Sequence, residues 1–299
     1  MSASEGKRPG SGDLTEPVEL LESDELEEKL QLLLDNAGIT DARGEASWIL
    51  EVARAQAAGD AAAERAYAMA AKRAAGTPLA YVVERSKFMG VELYCAPGAL
   101  VPRPETELLG ATAVRVLGEM GGTRAIDMCC GAGNLACGIA AALPDVTLWA
   151  SDLTDGCVAV ARRNVERLGL GARVTVKQGD LFAGLAGLGL EGTIAAVICN
   201  PPYISTGRLA KDRATLLDHE PREAFDGGPY GLSIHQRVIK DALAYLEPGG
   251  WLLFEIGLGQ DKQVKLLFDR GRAYEETRHE VDAEGNPRVI YARTKADKA

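Results

Sequence analysis

Hydrophobic positions recur at helical spacing along the first quarter of the chain. Four leucines share one side of a helix that begins at Ser23, and they are Leu26, Leu30, Leu33 and Leu34. The sequence Asn36-Ala37-Gly38 then predicts the end of this helix, because glycine readily takes the left-handed conformation that closes helices. Asp41 predicts the start of a second helix, and the alanine-rich stretch 60–75 predicts a third. Residues 23–78 are therefore predicted to form a small helical domain.

The segments on either side of this helical domain show weaker patterns. Residues 1–22 are rich in serine, glycine, proline and glutamate and have no apolar period, which predicts a disordered tail. Residues 79–100 alternate loosely between apolar and polar positions, as a β-hairpin linker does. In the segment 101–107 two prolines flank Arg103, and Thr106 or Glu105 is predicted to cap the next helix.

From residue 124 the pattern changes to short apolar runs separated by helical stretches. The runs that predict strands are 124–128, 147–151, 174–177, 194–199 and 251–256. Such alternation is typical of a parallel sheet with helices on both faces. Residues 101–299 are therefore predicted to form an α/β domain.

Polar side chains lie at the carboxyl ends of four of these strands, where parallel sheets bind their ligands. They are Asp127, Asp152, Asp180 and Asn200. Asp127 leads into the small-residue loop Cys129-Cys130-Gly131-Ala132-Gly133, which lets a ligand approach the backbone closely. Asp152 follows this loop by about twenty residues, the spacing at which a carboxylate at the end of the next strand reaches ribose hydroxyls. Because Cys129 replaces the first glycine of the dinucleotide fingerprint, the loop favours a nucleoside without a phosphate, such as S-adenosylmethionine.

The apolar run 194–199 ends abruptly at Asn200-Pro201-Pro202-Tyr203. Two successive prolines fix φ and remove two N–H donors, so the backbone is predicted to form a rigid corner after a buried strand. This corner suits a planar N–H₂ group. The Asn200 side-chain oxygen and the Pro201 carbonyl can accept its protons while Tyr203 packs on its plane. A tight surface loop is the alternative interpretation of two prolines taken alone.

Composition limits the possible classes of function. With 46% hydrophobic and 25% charged residues, the chain is typical of a soluble globular protein, and it shows neither an export signal nor an apolar stretch of membrane-spanning length. A net charge of −10 argues against binding of long nucleic acids through their phosphates. The six cysteines form no Cys-x-x-Cys pair and the three histidines lie far apart, so we expect buried free thiols, no metal and a cytoplasmic location.

Taken in order, these motifs closely resemble those of the HemK-type protein-(glutamine-N5) methyltransferases. The resemblance runs from about residue 24 to the C-terminus, and the segments that carry it are 78–81, 103–107, 127–133, Asp152, 200–203, 220–222, 226–228, 231–232, 248–251 and 255–257. It implies a class I methyltransferase fold, with a seven-stranded, mostly parallel sheet and an N-terminal helical domain. It also implies S-adenosylmethionine as cofactor and methylation of the glutamine in the Gly-Gly-Gln motif of peptide chain release factors.

The resemblance further implies roles for individual residues. Those implied to position the acceptor amide are Asn200, Pro201, Pro202 and Tyr203, with Arg103 and Glu105 adding to the substrate site. Those implied to bind the cofactor are Asp127, Cys129, Cys130, Gly131, Ala132, Gly133, Asp152, Asp180, Leu181 and Asn200. Two roles remain open for Arg103, which either orders the pocket through salt links or contacts the substrate. His219 is expected to be structural, because the reaction needs no strong base.

Two departures from the family pattern leave the acceptor open. The family usually carries Gly-Thr-Gly-Ser-Gly where this chain has Cys129 and Cys130 in the first two positions, and usually an aromatic residue in place of Leu181. The alternative is a paralogue that methylates a small-molecule amide or amine in a biosynthetic pathway. An adenine methyltransferase is disfavoured by the net acidity and the lack of a basic recognition segment. A binding module without catalysis is disfavoured because it would not require the polar corner at Asn200.

Overall fold

The computed structural model describes residues 23–211, 220 and 222–296. The chain divides into two compact units, and the division falls between Val83 and Glu84. The predicted disordered tail 1–22 and His219 lie outside the described residues, so both remain predictions. Within the described part of the chain, no helix combines the length and the apolar character needed to cross a membrane.

The first unit is helical. Its helices are α1 (Ser23–Asn36), α2 (Ala42–Gln56), α3 (Asp60–Ala74) and the short α4 (Leu79–Val82). Asp41 caps α2, since its side chain accepts a hydrogen bond of 3.2 Å from the Gly44 N–H. The helices pack around a core in which Leu30, Leu34 and Ile49 are fully buried.

The second unit begins with an antiparallel hairpin of β1 (Arg85–Phe88) and β2 (Val91–Tyr94). Its side chains Phe88 and Leu93 are buried in the core of the sheet, as the alternation predicts. The residues before the hairpin differ from the prediction, because α4 is helical and not extended. Leu79 and Val82 lie three residues apart and both pack on the helical core, which is a helical period. The predicted domain limits at residues 78 and 100 remain predictions.

The other strands of the second unit form a seven-stranded sheet. They are β3 (Arg124–Met128), β4 (Thr147–Asp152), β5 (Val174–Gln178), β6 (Ile194–Cys199), β7 (Leu246–Glu255), β8 (Tyr274–Val281) and β9 (Pro287–Thr294). Their order across the sheet is β5-β4-β3-β6-β7-β9-β8, with β5 to β7 parallel and β9 antiparallel to both neighbours. The predicted α/β fold is confirmed. Strand β7 begins earlier than predicted, because Leu246 pairs with Ile194 ahead of an irregularity in the register.

Helices cover both faces of this sheet. The first face is covered by α5 (Glu107–Met120), α6 (Asn134–Ala142) and α7 (Asp155–Arg167). After β6 comes α8 (Thr206–Lys211), and the second face is covered by α9 (Ser233–Asp241) and α10 (Asp261–Gly271). Strand side chains alternate between the two cores, so that Ala125 belongs to the first and Ile126 and Met128 to the second.

Candidate active site

The register of the central strands brings predicted site residues together. Met128 of β3 pairs with Ser151 of β4 on one side and with Cys199 of β6 on the other. Asp152 comes directly after Ser151, and Asn200 comes directly after Cys199. Both side chains therefore lie at the same carboxyl edge of the sheet, where ligands bind in this architecture.

A cavity of about 520 Å³ opens at this edge, which is within the usual range for small-molecule pockets. The predicted site residues in its wall are Arg103, Cys129, Cys130, Gly131, Ala132, Asp152, Asp180, Leu181, Asn200 and Pro202. The predicted site residues that do not line it are Glu105, Asp127, Gly133, Pro201 and Tyr203. The structure thus places most of the predicted cofactor residues around one space and the other site residues next to or behind its wall.

Asp127 supports the loop after β3 from below. Its side chain is fully buried, and its Oδ2 accepts a hydrogen bond of 3.0 Å from the Ala136 N–H in the first turn of α6. Its other oxygen, Oδ1, has no hydrogen-bond partner among the described residues. Burial raises the pKa of Asp127 to about 7. Asp127 therefore joins the loop to the helix from beneath the cavity wall.

Asp152 links the same loop to β4. Its Oδ2 accepts a hydrogen bond of 2.9 Å from the Gly131 N–H, and its Oδ1 accepts one of 3.2 Å from the Thr154 N–H. A carboxylate has about four lone-pair sites, so these two bonds leave acceptor capacity on the cavity side. The residue can both hold the loop and bind a hydroxyl group.

The backbone of the loop explains why its residues are small. Gly133 has a positive φ of 76°, and a Cβ atom there would lie only 3.0 Å from the Cβ of Ala161 on α7. Cys129 has a φ of 59°, in the left-handed region that favours glycine. The cysteine that departs from the family pattern therefore keeps the backbone shape of a glycine, at some cost in strain.

Beyond β5 the wall is formed by Asp180 and Leu181. Asp180 forms an ion pair of 2.8 Å with Arg237 of α9, and both side chains are about half exposed. The Leu181 carbonyl accepts a hydrogen bond of 2.9 Å from Ser151 Oγ, which ties this turn to the end of β4. Leu153 also lines the cavity and is 56% exposed. Leucine side chains thus provide apolar surface on this side of the cavity.

Asn200 presents its amide at the cavity wall. Its Nδ2 donates a hydrogen bond of 3.2 Å to Oγ1 of Thr106, which also lines the cavity. This contact uses one of the two N–H donors of the amide and leaves Oδ1 as an acceptor. The predicted capping of α5 is wrong for Thr106, because its side chain makes no capping hydrogen bond. The hydroxyl serves Asn200 instead.

Tyr203 supports the corner from outside the cavity wall. Its hydroxyl donates a hydrogen bond of 3.2 Å to Oε1 of Glu255, and burial raises the pKa of Tyr203 to about 12. Its backbone carbonyl accepts a hydrogen bond of 3.1 Å from Nε2 of Gln260. The other end of the Gln260 amide accepts one of 2.8 Å from the Gly257 N–H. Side chain and backbone of Tyr203 are therefore both fixed.

Arg103 lies at the cavity wall and forms a salt link of 2.6 Å with Glu220. The Glu220 side chain is buried, and its other oxygen accepts a hydrogen bond of 3.0 Å from the Val101 N–H. This salt link agrees with the first of the two roles considered for Arg103, the ordering of the pocket, and the choice between the two roles stays a prediction. Glu105 is exposed and does not line the cavity.

Sequence reasoning gave no role to three side chains that hold this site, namely Glu220, Glu255 and Gln260. The first two stand in segments that carry the family resemblance, 220–222 and 255–257, which was the available signal. Their partners Arg103 and Tyr203 could not be identified from the sequence, because these contacts join residues 52 to 117 positions apart.

Three of the six cysteines, Cys129, Cys130 and Cys157, line the cavity, and all six are free thiols. Burial raises the pKa of Cys130, and it raises that of Cys157 to about 12. These two thiols are therefore neutral near pH 7 and act as small, weakly polar wall residues. Among the side chains that the structure describes, no group of His, Cys, Asp and Glu is arranged to hold a metal ion.

The strand order, the single antiparallel strand β9 and a small-residue loop beside a carboxylate at the carboxyl edge define a class I methyltransferase. Residues 109–222 match the family described as the methyltransferase small domain. A crystal structure of the hMettl16 catalytic domain, in complex with the MAT2A 3′UTR hairpin 6, shares the fold. It is 18% identical, has a TM-score of 0.52, and the match covers 77% of this chain and 82% of that chain.

Relatives with similar sequences show to which family of class I methyltransferases the chain belongs. The release factor glutamine methyltransferase of Moorella thermoacetica is 37% identical, over 78% of this chain and 80% of its own length. That of Gloeobacter violaceus is 35% identical, over 71% of this chain and 73% of its own. The chain belongs to the release factor glutamine methyltransferase family, which confirms the resemblance identified from the motifs.

Proposed function

We propose that this protein transfers a methyl group from S-adenosylmethionine to the side-chain amide nitrogen of a glutamine in a peptide chain release factor. The observation that carries the proposal is the Asn200 corner. There, a neutral amide lies at the cavity wall with its N–H₂ group bound to Thr106, so that its oxygen is left to accept. Membership of the family supports glutamine as the acceptor.

The cavity wall fits S-adenosylmethionine in size and chemistry. When bound, this cofactor supplies an electrophilic methyl group on a positively charged sulfur. We assign the Asp152 carboxylate to the ribose hydroxyls and Asp180 to the amino group of the adenine, since both side chains are acceptors in the wall. Leu153 and Leu181 offer apolar surface to the adenine ring. The backbone at Gly131 lets the cofactor lie close to the loop.

The main chemical difficulty of the reaction is that the amide nitrogen of the acceptor is a weak nucleophile, and the Asn200 corner can compensate for this. An amide nitrogen shares its lone pair with the adjacent carbonyl. If Asn200 Oδ1 and the Pro201 carbonyl accept its two N–H bonds, they orient the nitrogen and stabilise the positive charge that develops on it. A proton leaves to water after the transfer, so no strong base is needed.

The proposed acceptor is a protein and not a nucleic acid. The chain carries a net charge of −10, which opposes the phosphate contacts that nucleic-acid binding requires. A release factor presents its Gly-Gly-Gln glutamine on an exposed loop, from which the side chain can enter the cavity. The protein around that loop contributes remote binding energy.

The test is incubation of the protein with labelled S-adenosylmethionine and a folded release factor, followed by mass spectrometry of the Gly-Gly-Gln peptide. We expect one methyl group on the glutamine. Asn200→Ala should lower turnover ~10²-fold or more, as the loss of a positioning acceptor does. Asn286→Ala, in the exposed turn between β8 and β9, is the matched control and should leave turnover unchanged. Transfer to a small molecule, with none to the glutamine, would contradict the proposed acceptor.

A further inference from the structure

The side-chain amide of Gln260 binds three backbone groups around the acceptor corner. Its Nε2 donates hydrogen bonds of 3.1 Å to the Tyr203 carbonyl and of 3.4 Å to the Gly231 carbonyl. Its Oε1 accepts one of 2.8 Å from the Gly257 N–H. One amide therefore joins the corner, the loop that contains Gly231 and the turn that follows β7.

We propose that Gln260 is a positioning residue for methyl transfer, which locks the acceptor corner to the wall segment 223–231. This wall segment contributes Glu223, Ala224 and Asp226 to the lining of the cavity. The inference rests on the proposed function and deepens it, because the corner receives the acceptor amide. It does not depend on which protein carries the acceptor glutamine.

The corner and the wall segment touch so closely that no side chain fits between them. A Cβ atom built on Gly227 would lie 2.6 Å from the Pro202 carbonyl oxygen. One built on Gly231 would overlap the Tyr203 carbonyl oxygen. The Gly227 N–H also donates a hydrogen bond of 2.8 Å to the Ile204 carbonyl. Because these contacts join backbone to backbone, a shift of the wall segment shifts the corner as well.

The chemistry of the three bound groups determines which way the Gln260 amide faces. A backbone N–H only donates a hydrogen bond, and a backbone carbonyl only accepts one. The amide oxygen must therefore face Gly257, and the N–H₂ group must face Tyr203 and Gly231. Both N–H protons are in use, so a side chain of the same shape without them cannot replace the amide.

The start of α10 does not explain this residue. Gln260 directly precedes α10, at a position where serine, threonine, aspartate and asparagine are favoured because they cap the helix. Its side chain makes no capping hydrogen bond within the described part of the chain. Ordering a long glutamine side chain also costs conformational entropy. The three bonds around the corner give the amide a purpose at this place.

The experiment compares Gln260→Glu and Gln260→Ala in methyl transfer to a folded release factor. In Gln260→Glu the carboxylate keeps the size of the amide and can still accept from Gly257. It faces the carbonyl oxygens of Tyr203 and Gly231 without a proton to donate, so it should push the corner out of place. We expect kcat to fall ~10²-fold for Gln260→Glu, as for a displaced group. Gln260→Ala removes the bonds without adding repulsion and should cost ~10-fold.

Gln236→Glu is the matched control for this experiment. It makes the same change in charge and size at an exposed position of α9. It should keep the wild-type kcat.

Two further readouts separate positioning from general damage. Gln260 does not line the cavity, so the affinity for S-adenosylmethionine in calorimetry should change little. The stoichiometry of this binding counts folded sites, which gives kcat per folded molecule. KM for the release factor should also change little, because protein surface outside the corner provides most of that binding.

Each outcome decides the proposal. A wild-type kcat for either Gln260 variant, or a loss for Gln260→Ala at least as large as that for Gln260→Glu, would overturn it. So would an equal loss for Gln236→Glu, or a change confined to KM. If Gln260→Glu does not fold, the kcat of Gln260→Ala per folded site decides alone, since a fall supports the proposal and a wild-type value overturns it.

The parallel wild-type reaction separates the two levels of inference. Without any methylation of the release factor by the wild type, the proposed function fails. Normal wild-type methylation with unaffected Gln260 variants removes only the positioning role.

Discussion

Gly231→Ala should displace the acceptor corner without unfolding the protein. Gly231 has a φ of 70°, and a Cβ atom built there would overlap the backbone oxygen of Tyr203. That oxygen belongs to the backbone and cannot rotate away, so the corner or its neighbouring loop must shift by ~1 Å. A displacement of this size in a positioned group can cost ~10²-fold in rate.

Gly259→Ala provides a matched control. It has a φ of 79°, and a Cβ atom there would meet nothing within 4 Å. Both variants place alanine in the left-handed region, which costs about 1–2 kcal/mol of conformational stability. Because alanine makes the unfolded chain less flexible than glycine does, about 0.5–1 kcal/mol of this cost is offset. Both variants should therefore lose some conformational stability, Gly231→Ala the more because of the overlap, and only Gly231→Ala should also move Tyr203.

Steady-state methyl transfer to a folded release factor measures the difference. We expect turnover to fall ~10²-fold for Gly231→Ala and to change little for Gly259→Ala. Calorimetry should show similar affinity for S-adenosylmethionine in both, and thermal unfolding should show that both are folded. Equal turnover in the two variants would refute the view that the Tyr203 carbonyl sets the position of the corner.

The remaining predictions concern the cavity wall and its support. Asp127 keeps its proton to about pH 7 when folded and to about pH 4 when unfolded, so the wild type should lose stability as pH rises between these values. Relative to the wild type, the free energy of unfolding of Asp127→Asn should therefore gain up to ~4 kcal/mol over the whole window. Urea unfolding at pH 5 and pH 8 should show about 3 kcal/mol of this gain, and no gain would mean that the carboxyl is not buried. Asp152→Ala should weaken S-adenosylmethionine binding by ~1–3 kcal/mol in calorimetry, and unchanged affinity would remove Asp152 from the site. Arg103→Ala and Glu220→Ala should each raise KM for the release factor and together cost no more than either alone, whereas additive effects would mean that Arg103 contacts the substrate.

Much of the fold could be predicted because its signals are short-range. Asp41 starts α2 through a bond to Gly44, only three residues away, and the apolar runs of β3 and β6 show their burial in their own sequence. Strand β9 was not predicted, although its residues 289–292 are apolar and buried. Strand β8 was not predicted either. It lies at the edge of the sheet with most of its side chains partly or fully exposed, so it carries little of the apolar pattern that indicates a strand.

The wall of the cavity could be predicted because its residues directly follow strands, but the supports behind it could not. The Arg103–Glu220 link joins residues 117 apart in sequence. The Asn200 contact with Thr106 spans 94 residues. Such pairs form only once the sheet has assembled, and no local period or spacing indicates them.

Three side chains from two separate parts of the chain hold the acceptor corner. Thr106 fixes the Asn200 side chain, Glu255 fixes the Tyr203 hydroxyl, and Gln260 fixes the Tyr203 backbone. Because each bond fixes a different group, the corner has its shape before any substrate arrives. A weak amide nucleophile that reacts without a strong base gains its rate from orientation, and preorganised acceptors supply that orientation without reorganisation during the reaction. The cofactor loop requires mainly a backbone shape, which Cys129 can adopt at a cost, whereas the corner requires particular side chains on all three supports.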